Sequence, residues 1–178
     1  MQHKLLVYQV LPRLFGNMNP TRKESSSVAE NGCGKFSAFT LARLKALRSQ
    51  GFSHIWYTGV LRHATQTDYS AFRIPRQHAD VVKGKAGSPY AVVDYYDVDP
   101  DLADDVPCRM QEWQALIART HAAGLKVMMD FVPNHVAREY QSIAKPTGIS
   151  DLGEKDDVSK HFSVQNNFYY CWGQPLNL

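Results

Sequence analysis

Two stretches of this chain repeat one design. LKALRSQGFSHIWY, residues 44–57, and IARTHAAGLKVMMD, residues 117–130, each close a helical pattern on a glycine, turn through a few residues and enter an apolar strand. The first helix is expected over Phe36–Gln50, with Phe36, Phe39, Leu44 and Leu47 near one stripe. The second is expected over Arg109–Ala123, with Met110, Trp113, Leu116 and Ile117 on its buried face. Gly51 and Gly124 stand where a left-handed cap is needed. Lys4–Val10 reads as an earlier strand that Pro12 stops, and His54–Thr58 as the next. Strand, helix, strand, helix, strand requires parallel pairing through right-handed crossovers, hence an α/β fold.

The third strand carries polar groups at its end. In KVMMDFVPNH, Val127, Met128, Met129 and Phe131 form a nearly continuous apolar run, as in a parallel strand covered on both faces. Asp130 interrupts the run, Pro133 helps to end it, and Asn134 and His135 fall on the following loop. Ligands of α/β barrels and open sheets bind at that end of the strands. Taken by itself, the segment reads two ways: as a site, or as a buried Asp tied to backbone donors beside a solvated His.

Composition narrows the function classes. The 178 residues carry a formal charge of +3, and the basic residues are scattered, so no nucleic-acid partner is expected. No stretch is apolar enough for a membrane span, and no signal-peptide pattern precedes the first strand. A cytoplasmic location is expected, although a mature secreted chain would read alike. Cys33, Cys108 and Cys171 are far apart and outside metal-ligand spacing. There is no G-x-G-x-x-G after a strand, no P-loop, no H-E-x-x-H and no G-x-S-x-G. The acids Asp151, Glu154, Asp156 and Asp157 lack EF-hand spacing and read as a solvated loop, ahead of an aromatic patch at Phe168, Tyr169, Tyr170 and Trp172.

Two long connections, 59–107 and the stretch after His135, have the length of functional loops. The first contains SPYAVVDYYDVDP, where Tyr90, Tyr95 and Tyr96 alternate with Asp94, Asp97 and Asp99. Flat rings that stack on a sugar's C–H face, beside carboxylates for its hydroxyls, suit a carbohydrate site. A tyrosine-rich loop packed on its own domain would show the same pattern.

VYQVLPRLF, GFSHIWYTGV, SPYAVVDYYDVDP and HAAGLKVMMDFVPNH, in that order, resemble the α-amylase family of glycoside hydrolases. The resemblance implies a partial TIM (β/α)8 barrel, with residues 1–135 as the N-terminal part of the catalytic barrel and 136–178 as the start of a domain inserted after the third strand. It implies that Tyr90 stacks on the sugar at the cleavage subsite, that His135 hydrogen-bonds that sugar, and that Asp130 orients its neighbours. Asn134 is similar to an asparagine that ligates calcium in many members. The implied reaction is retaining hydrolysis of α-glucosidic bonds in starch-like glucans or maltooligosaccharides. Glucosyl transfer or isomerisation is the variant within the family.

A retaining glycosidase needs two carboxylates about 5–5.5 Å apart, which the family draws from its fourth and fifth strands, and a whole barrel takes about 250 residues. The chain is therefore expected to be a fragment without the nucleophile or acid/base, poorly soluble and inactive alone. Two other readings stand beside it. One is a non-catalytic carbohydrate-binding module that holds sugar through Tyr90, Asp94 and His135. The other is a doubly wound nucleotide binder, disfavoured by a single glycine in PRLFGNMNPTRK.

Overall fold

A computed structural model describes residues 4–173. The elements in chain order are β1 (Val7–Val10), α1 (Val28–Asn31), α2 (Leu41–Ser49), β2 (His54–Tyr57), β3 (Leu61–His63), β4 (Val92–Val98), α3 (Arg109–Ala122) and β5 (Lys126–Met129), with short 3-10 turns between them. β1, β2 and β5 form a parallel sheet in that order, with Gln9, Trp56 and Met128 in one row. β3 and β4 form a separate antiparallel pair with register shifts on both sides of Arg62.

The expected first helix divides. Phe36–Ala38 is a 3-10 turn, Phe39 leaves helical geometry, and Thr40 caps α2 by accepting from the Arg43 backbone N–H. A threonine with a free hydroxyl at that point offers the backbone a new start, which an apolar stripe alone does not show. The polar loop 17–34 contains α1, begun by a capping box in which Ser27 and Glu30 each accept from the other's backbone. Gly51 and Gly124 turn the chain out of α2 and α3 at φ +96° and +79°.

Both long helices pack on one face of the sheet. Residues in register on parallel strands point the same way, so Tyr8, Ile55 and Val127, and then Val10 and Tyr57, share a side. That side meets Leu44 and Leu47 of α2 and Trp113, Leu116 and Ile117 of α3 in one apolar cluster. Sequential strand order with helices on one face is a barrel wall; a doubly wound sheet covers both faces. The nucleotide-binder reading is thereby set aside.

The third strand corrects an expectation. Val127 is half-buried, but Met128, Met129 and Phe131 are 40%, 43% and 74% exposed. β5 is an outer strand of the sheet, and among the described residues no second layer covers the face that carries Gln9, Trp56 and Met128; Met129, in register with Tyr57 on the helix side, is exposed at the open edge, and Phe131 lies past the strand. An apolar run does not distinguish a strand covered on both faces from one covered on only one.

The chain divides into two compact units, Met1–Ala144 and Lys145–Leu178. Residues 136–144, which the resemblance places at the start of an insertion, run along β4: the Ala137 and Gln141 N–H groups donate to the Val92 and Val93 carbonyls at 2.8 and 3.0 Å. The second unit has neither helix nor strand among its described residues. Its loops are tied by Asp156, which accepts from the Asn167 and Phe168 backbones and the Tyr170 hydroxyl, and by a Lys145–Glu154 pair at 2.7 Å.

Candidate functional site

Beyond the C-terminal ends of β1 and β2 lies a cavity of about 320 Å³ among Gln9, Val10, Leu11, Thr58, Pro89 and Tyr90. Gln9 donates to the Thr58 hydroxyl at 3.1 Å, which fixes an amide oxygen and a hydroxyl side by side on the floor. Tyr90 is 41% exposed at the rim. Its loop reaches the strand end only because position 59 is glycine, at φ +70°, where any Cβ would collide with Pro89. A larger cavity of about 530 Å³ lies over the loop 13–32. It is lined mainly by that loop, with Arg13 and Ala86 at one side, and several of its polar groups are satisfied locally: Asn17 donates to the Asn31 carbonyl and Lys23 pairs with Glu30.

Asp130 does not line the smaller cavity. One of its oxygens accepts from the Trp56 indole N–H and the other from the Gly59 backbone N–H at 3.0 Å. It thus ties the end of β5 to the turn against which Pro89 rests. The carboxylate has one side-chain and one backbone donor, both from β2 and the turn after it, so it is a tethered Asp.

Asn134 and His135 are exposed on the loop after β5, with the Asn134 amide nitrogen 3.3 Å from His135 Nδ1. Neither lines the cavity that Tyr90 lines. Calcium takes about 6–8 oxygen ligands. Asn134 offers one, and among the described residues no cluster of three or more His, Cys, Asp or Glu side chains could hold a metal. The residues present do not fit a calcium site by themselves, and no role is derived for the ion.

The carboxylates of SPYAVVDYYDVDP require a second correction. Asp94, Asp97 and Asp99 are all at most 2% exposed and do not meet a ligand. Asp94 accepts from the Tyr96, Ile143 and Ala144 backbones at 2.8, 2.7 and 3.1 Å and lies 3.4 Å from Arg62. Asp97 takes a two-pronged grip from Arg109 at 2.7 and 2.8 Å and also faces Arg62. Asp99 accepts from the Asp101 backbone and stands 3.0 Å from His63. Tyr95 donates to the Val132 carbonyl, and its ring packs at a tilt near Phe131 and Tyr140. Of this segment, only Pro89 and Tyr90 reach the cavity. Asp94 is therefore removed from the sugar-binding set of the module reading.

Sequence reasoning overlooked Gln9 and Thr58. Both are polar residues within one position of a strand end, Gln9 before the last residue of β1 and Thr58 just past β2, much as Asp130 follows β5. It also overlooked the buried charges of β3 and β4, since Leu61–His63 is too short to show a period.

Residues 9–175 match the family model for the catalytic domain of α-amylase. The chain belongs to the α-amylase family. Among its relatives, Maltase 1 of Drosophila virilis is 26% identical over 149 residues, which is 82% of this chain and 18% of that protein. Trehalose-6-phosphate hydrolase of Bacillus subtilis is 22% identical over 172 residues, 97% of this chain and 22% of that protein. The crystal structure of an α-amylase from Lactobacillus plantarum superposes with a TM-score of 0.52 at 24% identity, covering 78% of this chain and 24% of that one. That likeness shows the fold, and the chain spans about a fifth of the length of the two named relatives.

Proposed function

We propose that this chain supplies the sugar-holding wall of an enzyme that hydrolyses α-glucosidic bonds with retention. The observation that carries the reading is the placement of Tyr90 at the rim of a cavity past the C-terminal strand ends, where barrel enzymes bind substrate. Its ring offers an apolar face to a glucosyl unit, and the Gln9 and Thr58 polar groups below offer partners for hydroxyls. His135, exposed on the loop after β5, would bond the same sugar. Asp130 acts through Gly59, holding the loop in place. None of the described carboxylates is assigned as nucleophile or acid/base; double displacement would need such a pair about 5–5.5 Å apart.

Titration of the intact protein with maltotetraose by calorimetry tests the reading. Binding is expected, weakened about tenfold in Tyr90→Ala by the loss of ring contact. Equal affinity in wild type and Tyr90→Ala would remove Tyr90 from the site.

A further inference from the structure

We propose that Arg13 and His63 are positioning residues for Tyr90, holding the Ala86–Gly87 turn through which its loop is hung; this rests on the reading of Tyr90 as a sugar contact.

Arg13 lies just past β1 and spends its guanidinium on three acceptors. Nη1 donates to the Gly87 carbonyl at 2.9 Å, and Nη2 to the Ala86 carbonyl at 3.0 Å and to His63 Nε2. Both Nη2 hydrogens are thereby used. His63 is 1% exposed. Its Nδ1 faces only acceptors, Asp99 Oδ2 at 3.0 Å and the Leu61 carbonyl at 3.3 Å. The proton belongs on Nδ1, and Nε2 offers Arg13 a lone pair. Asp99 holds the imidazole, the imidazole aims the guanidinium, and the guanidinium grips two consecutive carbonyls of the turn.

The turn needs that grip. At Gly87, φ is +74°, and a Cβ there would overlap the Ala64 carbonyl, so the chain passes β3 with no side chain to anchor it. Three residues further on comes Tyr90. The flanking backbone bonds are few: Gly87 N–H to the Lys83 carbonyl at 3.2 Å, Gln66 N–H to the Lys85 carbonyl at 2.9 Å and Ala91 N–H to the Ser88 carbonyl at 3.0 Å. A half-buried arginine with charge-assisted bonds is the strongest restraint on this stretch.

Substitution at His63 separates the acceptor from mere filling of space. The amide oxygen of glutamine reaches where Nε2 stood, whereas that of asparagine stops near Nδ1. Hydrogen exchange of the intact protein, read on peptides covering 62–66 and 83–91, is expected to be unchanged in His63→Gln. It is expected to quicken about tenfold or more in His63→Asn and Arg13→Lys. Peptides from α3 serve as the folded control. Equal protection in His63→Asn and wild type, or equal loss in His63→Gln and His63→Asn with α3 still protected, would overturn the proposal. Should His63→Asn unfold α3 as well, Arg13→Lys decides by itself, and wild-type protection there would overturn it. Maltotetraose affinity is measured separately on the same variants. A loosened loop with unchanged affinity rejects Tyr90 as a sugar contact and leaves the restraint intact; an unloosened loop rejects the restraint whatever the affinity.

Discussion

Between the parallel sheet and its helices, the fully buried side chains include Phe36, Phe39, Leu44, Ile55, Tyr57 and Leu116, and the Tyr57 hydroxyl is paired with Thr120 at 2.7 Å. Behind β3 and β4 the buried side chains include Arg62, His63, Asp94, Asp97 and Asp99. The two regions are held together by different physics. In the first, stabilisation grows with apolar area, and each methylene removed costs in proportion. In the second, every charge has been taken from water and depends on its partner, so loss of one partner strands another. The apolar region builds the wall, and the charged region hangs the Tyr90 loop on it.

Near-isosteric substitutions separate the two most sharply. Asp97→Asn removes a charge gripped by Arg109 and faced by Arg62, while changing almost no volume. A cost of about 3–5 kcal/mol in urea unfolding is expected, the cost of breaking a buried pair. Ile55→Val, at a fully buried site of the sheet, is expected to cost about 0.5–1.5 kcal/mol. Comparable costs for the two would mean that water reaches the charged region and that the contrast is false.

Titration tests the contrast next. Burial, together with the neighbouring Asp99 carboxylate, pushes the Asp101 carboxyl up to about 6, and the Tyr69 hydroxyl bonds it. An acid whose folded pKa is raised binds more protons folded than unfolded between those two values. Its stabilisation is whole below its ordinary value and is lost as pH rises through about 6. Asp99 is also penalised by burial, yet His63 and Arg13 lower its pKa, so its share is lost only on acidification below the ordinary carboxylate range. Stability should therefore fall by up to about 3 kcal/mol from pH 4 to 7. Asp101→Asn, which keeps the shape of the protonated acid, should flatten most of that slope. A slope unchanged in Asp101→Asn would place the titration elsewhere.

The two regions also differ in how far the sequence discloses them. The repeated helix–glycine–strand unit predicts β2, α3, β5 and their parallel order, because helices and strands that bury one apolar face leave a period behind. The charged region leaves none. Arg62 and His63 sit in a three-residue strand, and their partners Asp94, Asp97 and Asp99 follow some thirty residues later. In the sequence, those acids read as sugar-facing groups or as part of a loop packed on its own domain, and only the fold shows which partners hold them. Asp130 and Tyr90 were legible because strand ends and family motifs mark them. Gln9 and Thr58 were not, since one polar residue at a strand end is ordinary until a loop closes over it. The exposure of Met128, Met129 and Phe131 was hidden for a related reason, as a strand records that it is apolar but not how many layers cover it or whether it lies at an edge.

Cys33 reports on the junction of the two regions, where the expected effect on stability is smallest and the chemical readout most sensitive. It packs partly against the apolar cluster, and its thiol is pushed up to about 12, first by burial and then by the Asp99 and Asp101 carboxylates. Only the thiolate is nucleophilic, so a rise from 9.0 to about 12 leaves about a thousandfold less of it at pH 8. Cys171 is exposed, 3.4 Å from His161 Nδ1, and lies in the second compact unit. Iodoacetamide at pH 8, followed by peptide mass spectrometry, is expected to label Cys171 first and Cys33 last. Asp99→Asn should quicken Cys33 alone, because it removes one of the charges that oppose the thiolate while leaving the thiol buried. Cys33 labelling as fast as Cys171 in the wild type would show that the junction is open to solvent, and the two cores would then be separate structures rather than neighbours sharing a boundary.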